Sequence, residues 1–442
     1  MDNVLSLAVE ALSWVELEDL SCSSALARAA KQLGISDERT IAEARLLVRN
    51  SLHRKNFIDR LLGMALDPIS LDEFNLGTQS FLRIFVFKTK LDFKGVDVYE
   101  IVEAGRSVLG WETLAPVEEV FGKVLRIDAG EVLSGLDDCT GISLRTFYPE
   151  WFVSYCVRLM GRREALRLLG YSASPPTYVR INTLKGKEEE EILENIAGSS
   201  VVLDKVGEVP YLYRVARGAE RLTRLEAYAK GLFSLQGLPS CLAALLCEPQ
   251  RGDVVFDVGF RPVAKTTYLA QLMNNEGRIL SMDSSARRIE TLELEVKEMG
   301  VEIVEASLVE AGETPTLGGK ADLVLLSPRC SGTGVFWRDP ALKWRVDLNR
   351  VGDAADAQWD LISKYADYVR DGGRLIYWTN SLTVEENELL VERFLKMRPE
   401  FSLVETKPRI GVSGLRGQRE CQRLYPHLHG VDGAYFAKLI KR

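Results

Sequence analysis

Residues 321–345, ADLVLLSPRCSGTGVFWRDPALKWR, decide how the chain is read. The apolar run at 323–326 predicts a buried parallel strand, and Ser327-Pro328 ends it by turning the chain out of the sheet. In an open α/β sheet, ligands bind outside the carboxyl ends of the strands. Cys330 is therefore expected in a loop at the site, ahead of Ser331-Gly332-Thr333-Gly334, whose glycines let backbone come close to a partner. A free cysteine is in general buried and inert, so the residues around this one must say what it does.

Outward from that stretch, strands at 254–258, 278–283 and 301–306 alternate with helices at 240–246 and 267–273. This is the pattern of a doubly wound, Rossmann-like α/β domain, with 434–439 as a late strand. Upstream, 178–184 alternates as a strand, 188–197 reads as a helix, and 201–203 and 212–215 supply two more strands, giving a small α+β module. The N-terminal region is helical throughout, with Asp37 as the expected N-cap of its third helix. The expected division is an all-α bundle over 1–145, the α+β module over 146–228 and the α/β domain over 229–442.

The chain has 442 residues, enough for two or three domains. It contains no run of about 18 apolar residues and no basic, signal-like N-terminus, so no membrane association is expected. Seven cysteines without a CxxC pair argue against a disulfide framework and a metal site, and fit a cytoplasmic protein. A net charge of −7 gives no general attraction to nucleic acid, so RNA binding would need local basic patches.

Several short segments share one resemblance. Ser331-Gly332-Thr333-Gly334-Val335, Pro340 and Lys343-Trp344-Arg345 resemble the motif IV region of the NOL/NOP/Sun (Sun/Fmu) family of RNA cytosine-C5 methyltransferases. GGRLIYWTNS at 372–381 resembles its motif VI, with Glu386-Asn387-Glu388 at the family's distance, and RLYPH at 423–427 with GVDGAYF at 430–436 resembles its closing motif. Arg180-Ile181-Asn182 matches its R-[VI]-N word, Gln236 and Ser240 its Q-x-x-x-S, and the N-terminal helices are similar to the NusB-like domain of some members.

The resemblance implies a S-adenosylmethionine-dependent enzyme acting on rRNA or tRNA. It assigns cofactor contacts to Pro262, Lys265, Asp283, Arg288 and Glu305; RNA contacts are expected from Arg180, Asn182 and Lys185, which can meet phosphate, and from Lys343 and Arg345 in a shared basic groove. The reaction needs a thiolate that adds to C6 of the base and an acid that holds the base. Asn380 stands where the family has the attacking cysteine, Ser327 where it has the aspartate, and Cys330 alone keeps a thiol. The cofactor loop also departs: Phe260 and Arg261 replace alanines, and Val263-Ala264 replace two glycines, from which weak or lost cofactor binding is expected because valine avoids φ > 0. The expectation is a catalytically degenerate, RNA-binding family member. An active enzyme using Cys330, with Arg329 lowering its pKa, is the alternative, and a scaffold whose helical domain docks a protein partner is a third reading.

Overall fold

The computed structural model describes residues 2–442 except 93–94, 96, 174, 187, 260–262 and 311–318. The chain divides into two compact units, Met1–Tyr171 with Phe336–Asp347, and Ser172–Val335 with Leu348–Arg442. This differs from the expected boundaries. The helical unit runs on through Glu150–Met160 and Arg162–Leu169, the α+β module shares a unit with the large sheet, and the chain leaves that sheet at Phe336 to rejoin the helices for twelve residues.

In the helical unit, apolar residues at three-to-four spacing pack Asp2–Glu18 against Cys22–Leu33, Glu38–His53 and Leu76–Val86. Asp37 caps the third helix as expected, its carboxylate accepting from Thr40 N at 2.8 Å. Phe81, Phe85 and Phe121 fill the centre, with 4.7 Å between the Phe85 and Phe121 ring centroids. The Phe336–Asp347 segment belongs to this core: Phe336 meets the Phe152 ring edge-on at 5.0 Å, and Ala341 is buried among the helices.

The second unit holds two sheets. The smaller orders β2 (Val202–Lys205), β3 (Leu212–Arg217), β1 (Tyr178–Ile181) and β4 (Phe233–Leu235), all antiparallel, under the helix Glu189–Ala197. β1 is shorter than its alternating pattern, because Asn182 accepts from Leu184 N and starts a turn at Thr183. β4 was not foreseen from the sequence.

The larger sheet places β5 (Val254–Val258) between β6 (Arg278–Asp283) and β8 (Ala321–Leu326), with β7 (Val304–Leu308) beyond β6 and β9 (Val369–Thr379) beyond β8, all parallel. The late strand β13 (Ala434–Lys441) adds antiparallel to β9 and also pairs β10 (Phe401–Val404); β12 (Gln422–Leu424) and β11 (Val412–Ser413) finish that edge. Strand order reverses direction at β5, so the crevice at the carboxyl ends of β5, β6 and β8 is the switch point where ligands bind in this architecture. Alternate residues of β9 feed different cores: Ile376 and Trp378 face one layer, Leu375 and Tyr377 the other. No described helix is long and apolar enough to cross a membrane.

Candidate catalytic centre

Four parallel strands end side by side, and each delivers a side chain sequence analysis had singled out or a neighbour of one. β5 ends at Asp257-Val258 and passes into Gly259, whose φ of +67° a side chain would strain; an added Cβ would also lie 2.8 Å from Ser327 O. Asp257 is fully buried and accepts from Lys265 Nζ at 3.1 Å and Thr266 Oγ1 at 2.5 Å. Lys265, expected as a cofactor contact, is fully buried and is the cation that balances Asp257.

Val263 has φ −55° and ψ −41°, ordinary helical values, and Ala264 opens the helix Ala264–Leu272. The expected conflict between valine and a left-handed conformation therefore does not arise at this position. Pro262, with Phe260 and Arg261, lies outside the described residues.

Asp283 ends β6. Its Oδ1 accepts from Ser285 N at 2.9 Å and from the Arg288 guanidinium, while Oδ2 is buried and has no hydrogen-bond partner among the described residues. A buried carboxylate oxygen left unpaired is costly, and it fits a ligand hydroxyl arriving from the crevice. Glu305 does not join it. Strand β7 begins at Val304, later than expected, so Glu305 lies at the far end of the sheet beside Leu280 and forms an exposed ion pair with Arg278 at 2.6 Å. The register sets Ser307 and Leu308 opposite Met282 and Asp283 instead.

At the end of β8, Ser327 Oγ accepts from Trp378 Nε1 at 2.6 Å, and both residues are buried. The Trp378 ring stacks on Phe436, 5.9 Å between centroids and 9° between planes, which fixes the indole. Asn380, one residue past β9, donates through Nδ2 to Gly433 O at 3.0 Å and accepts at its backbone carbonyl from Gly334 N at 2.8 Å. Gly334 and Gly433 are packed so closely that a Cβ on Gly334 would meet Gly433 O at 2.4 Å. Cys330 is half-buried on the loop after β8, next to exposed Arg329.

Residues 244–440 match the family model described as 16S rRNA methyltransferase RsmB/F. The chain is 37% identical over 223 residues to a tRNA (cytosine(72)-C(5))-methyltransferase of Pyrococcus horikoshii, covering 50% of this chain and 55% of that one. It is 33% identical over 314 residues to a mouse 28S rRNA (cytosine-C(5))-methyltransferase, covering 66% of this chain and 39% of that one. These matches support the NOL/NOP/Sun family that the motifs resemble. Among solved structures, NSun6 from Pyrococcus horikoshii with SFG matches with a TM-score of 0.61 and 27% identity, over 66% of this chain and 98% of that one. The chain spans 39% to 55% of the length of these curated relatives.

Five side chains were expected to meet RNA, and the structure encloses four of them. Arg180 is fully buried, donating from Nε to Gln236 at 2.6 Å, from Nη2 to Thr267 at 2.7 Å, and to Gln271. Asn182 is fully buried and bonds the carbonyls of Gly231 and Met299, each at 2.8 Å. Lys343 and Arg345, with Trp344 between them, cap helix ends inside the helical unit. Lys343 Nζ reaches His53 O at 2.8 Å and Phe147 O, Trp344 Nε1 reaches Leu52 O, and Arg345 reaches the carbonyls of Val15, Asp19 and Leu20. Helix C-termini leave carbonyls unpaired, and cations are favoured there. Burial, with Lys343 beside it, pulls the His53 imidazole down to about 3, so it stays neutral. Lys185 alone of the five is exposed.

Two further groups had no role assigned from the sequence. Glu386 is a fully buried carboxylate at the base of the Cys330 loop. Glu295, on the helix Ala286–Met299, is pushed up to about 7 by burial and by Glu298, against the pull of Arg180. The run Glu386-Asn387-Glu388 was visible as a motif, but its enclosure was not.

Proposed function

We propose that this chain is an RNA-binding member of its family that keeps a S-adenosylmethionine site and has lost cytosine-C5 methyl transfer. The carrying observation is how the two altered positions are occupied. Ser327 Oγ is committed to the Trp378 indole, and the Asn380 amide is committed to Gly433 O. A hydroxyl and an amide cannot replace a carboxylate that holds the base and a thiolate that adds to C6, and loss of an attacking group costs orders of magnitude in rate.

The cofactor half of the reading rests on Asp283, whose buried, unpaired Oδ2 fits a ribose hydroxyl of S-adenosylmethionine. That cofactor supplies the family's methyl group; the residues here would orient it through Asp283 and Gly259. RNA contact is left to exposed cations such as Lys185, with the helical unit as a docking platform for RNA or a protein partner. Filter retention of rRNA and tRNA transcripts over a salt series, with and without S-adenosylhomocysteine, tests this. Salt-sensitive retention and calorimetric binding of the cofactor product support it; absence of both removes it.

A second reading, an active enzyme using Cys330, is favoured by one observation: the thiol is half-buried on the site loop and its neighbour Arg329 is exposed.

A further inference from the structure

Cys330 is the one cysteine of the sheet-containing unit that is not buried; Cys22 and Cys139, the other two partly exposed thiols, lie in the helical unit. Its two chain neighbours are both held. Ser331 donates through N to Glu386 Oε1 at 2.8 Å and through Oγ to Glu386 Oε2. Arg329 O accepts from Gln358 Nε2 at 3.0 Å, and the same amide nitrogen donates to Glu386 Oε1 at 2.9 Å. Gln358 cannot turn over freely, because its Oε1 would then face two acceptors, Arg329 O and Glu386 Oε1.

The same carboxylate also reaches the loop after β9. Glu386 Oε2 accepts from Ser381 Oγ at 2.5 Å and Thr383 Oγ1 at 2.9 Å, one residue beyond Asn380 and three beyond it. Glu386 is fully buried and makes no ion pair among the described residues. Five donors converge on two oxygens, a demand only an acceptor-only group meets; a glutamine would turn N–H bonds toward those donors.

We infer that Glu386 is the positioning residue for the Cys330 thiol, clamping the backbone on both sides of it and tying that loop to the loop of Asn380. The carboxylate acts directly through Ser331 and indirectly through Gln358. It touches no substrate, and its role is to decide how far the thiol can leave the sheet edge.

The test is alkylation of the full chain by iodoacetamide, with each cysteine followed by peptide mass spectrometry, and needs neither RNA nor cofactor. A failure here is therefore distinct from a failure of the RNA-binding reading. In Glu386→Gln, loop opening becomes easier by about the worth of one hydrogen bond, and Cys330 is alkylated about tenfold faster. Cys22 and Cys139 keep their rates, and Cys156, Cys241, Cys247 and Cys421 stay protected. Gln358→Leu releases only the Arg329 side and gives a smaller rise, whereas Thr383→Ser keeps the donor hydroxyl and leaves Cys330 at the parent rate. Should Glu386→Gln fail to fold, Gln358→Leu and Ser331→Ala decide the matter. An unchanged Cys330 rate in the folded variants, or a rise shared by all seven cysteines, overturns the inference.

Discussion

Replacing Asp283 by Asn is expected to weaken binding of S-adenosylhomocysteine by about 10- to 150-fold. The figure follows from one atom. Oδ2 is buried at the end of β6 without a hydrogen-bond partner among the described residues, so a ligand hydroxyl donates to an acceptor that no protein group already uses. A hydrogen bond to a charged group contributes about 1.5–3 kcal/mol, and each 1.4 kcal/mol is about tenfold in Kd. Asparagine keeps an acceptor for Ser285 N but puts an N–H2 where the second oxygen was. Arg288 also loses its ion pair, yet it is about a third exposed and can turn to water, so Arg288→Ala should change Kd only a few-fold. Isothermal calorimetry on parent and both variants reads the difference. Equal affinity in parent and Asp283→Asn refutes the assignment, and no binding by the parent refutes cofactor retention altogether.

Lys343→Met keeps most of the side-chain volume but strips donors from the carbonyls of His53 and Phe147. Each stranded buried acceptor costs about 1–3 kcal/mol, so chemical denaturation should show the helical unit destabilised by about 2–6 kcal/mol. A change below about 0.5 kcal/mol, the level of a surface substitution, contradicts the capping role. Glu295 gives a pH signature. Its folded pKa, raised to about 7, lies above the unfolded value, so its contribution is fully favourable below about 4.5 and is lost as pH rises to 7. Glu295→Gln should therefore gain in Tm over the parent at pH 8 relative to pH 5; an equal difference at both pH values contradicts this. Glu388→Gln should destabilise the sheet-containing unit by about 3–5 kcal/mol, because it leaves the Arg423 guanidinium buried without its carboxylate.

The sheet was legible because its signals are local. β5, β6 and β8 are short apolar runs ended by turn residues, and each falls where the pattern put it. Glu305 was misplaced because β7 starts three residues later than its apolar pattern begins, and a small slip in a strand moves a side chain from one end of the sheet toward the other. Lys343 and Arg345 were misread for a different reason. A cation in sequence looks like surface, and only the tertiary arrangement brings two helix C-termini within reach of Lys343 and a third within reach of Arg345. Val263 was judged by the glycine it replaces, whereas its φ is helical, and among the described residues of the loop the left-handed one is Gly259. The Ser327–Trp378 bond joins residues 51 apart, and no spacing rule connects them.

The central claim is that the site has kept its fold and lost its reaction. It is tested most directly by incubating the protein with S-adenosylmethionine and unmodified rRNA and tRNA transcripts, then digesting the RNA and measuring 5-methylcytidine by mass spectrometry. No 5-methylcytidine above the protein-free control is expected, with the cofactor binding measured separately on the same sample. Formation of 5-methylcytidine that disappears in Cys330→Ala would contradict it and establish the loop thiol as the attacking group.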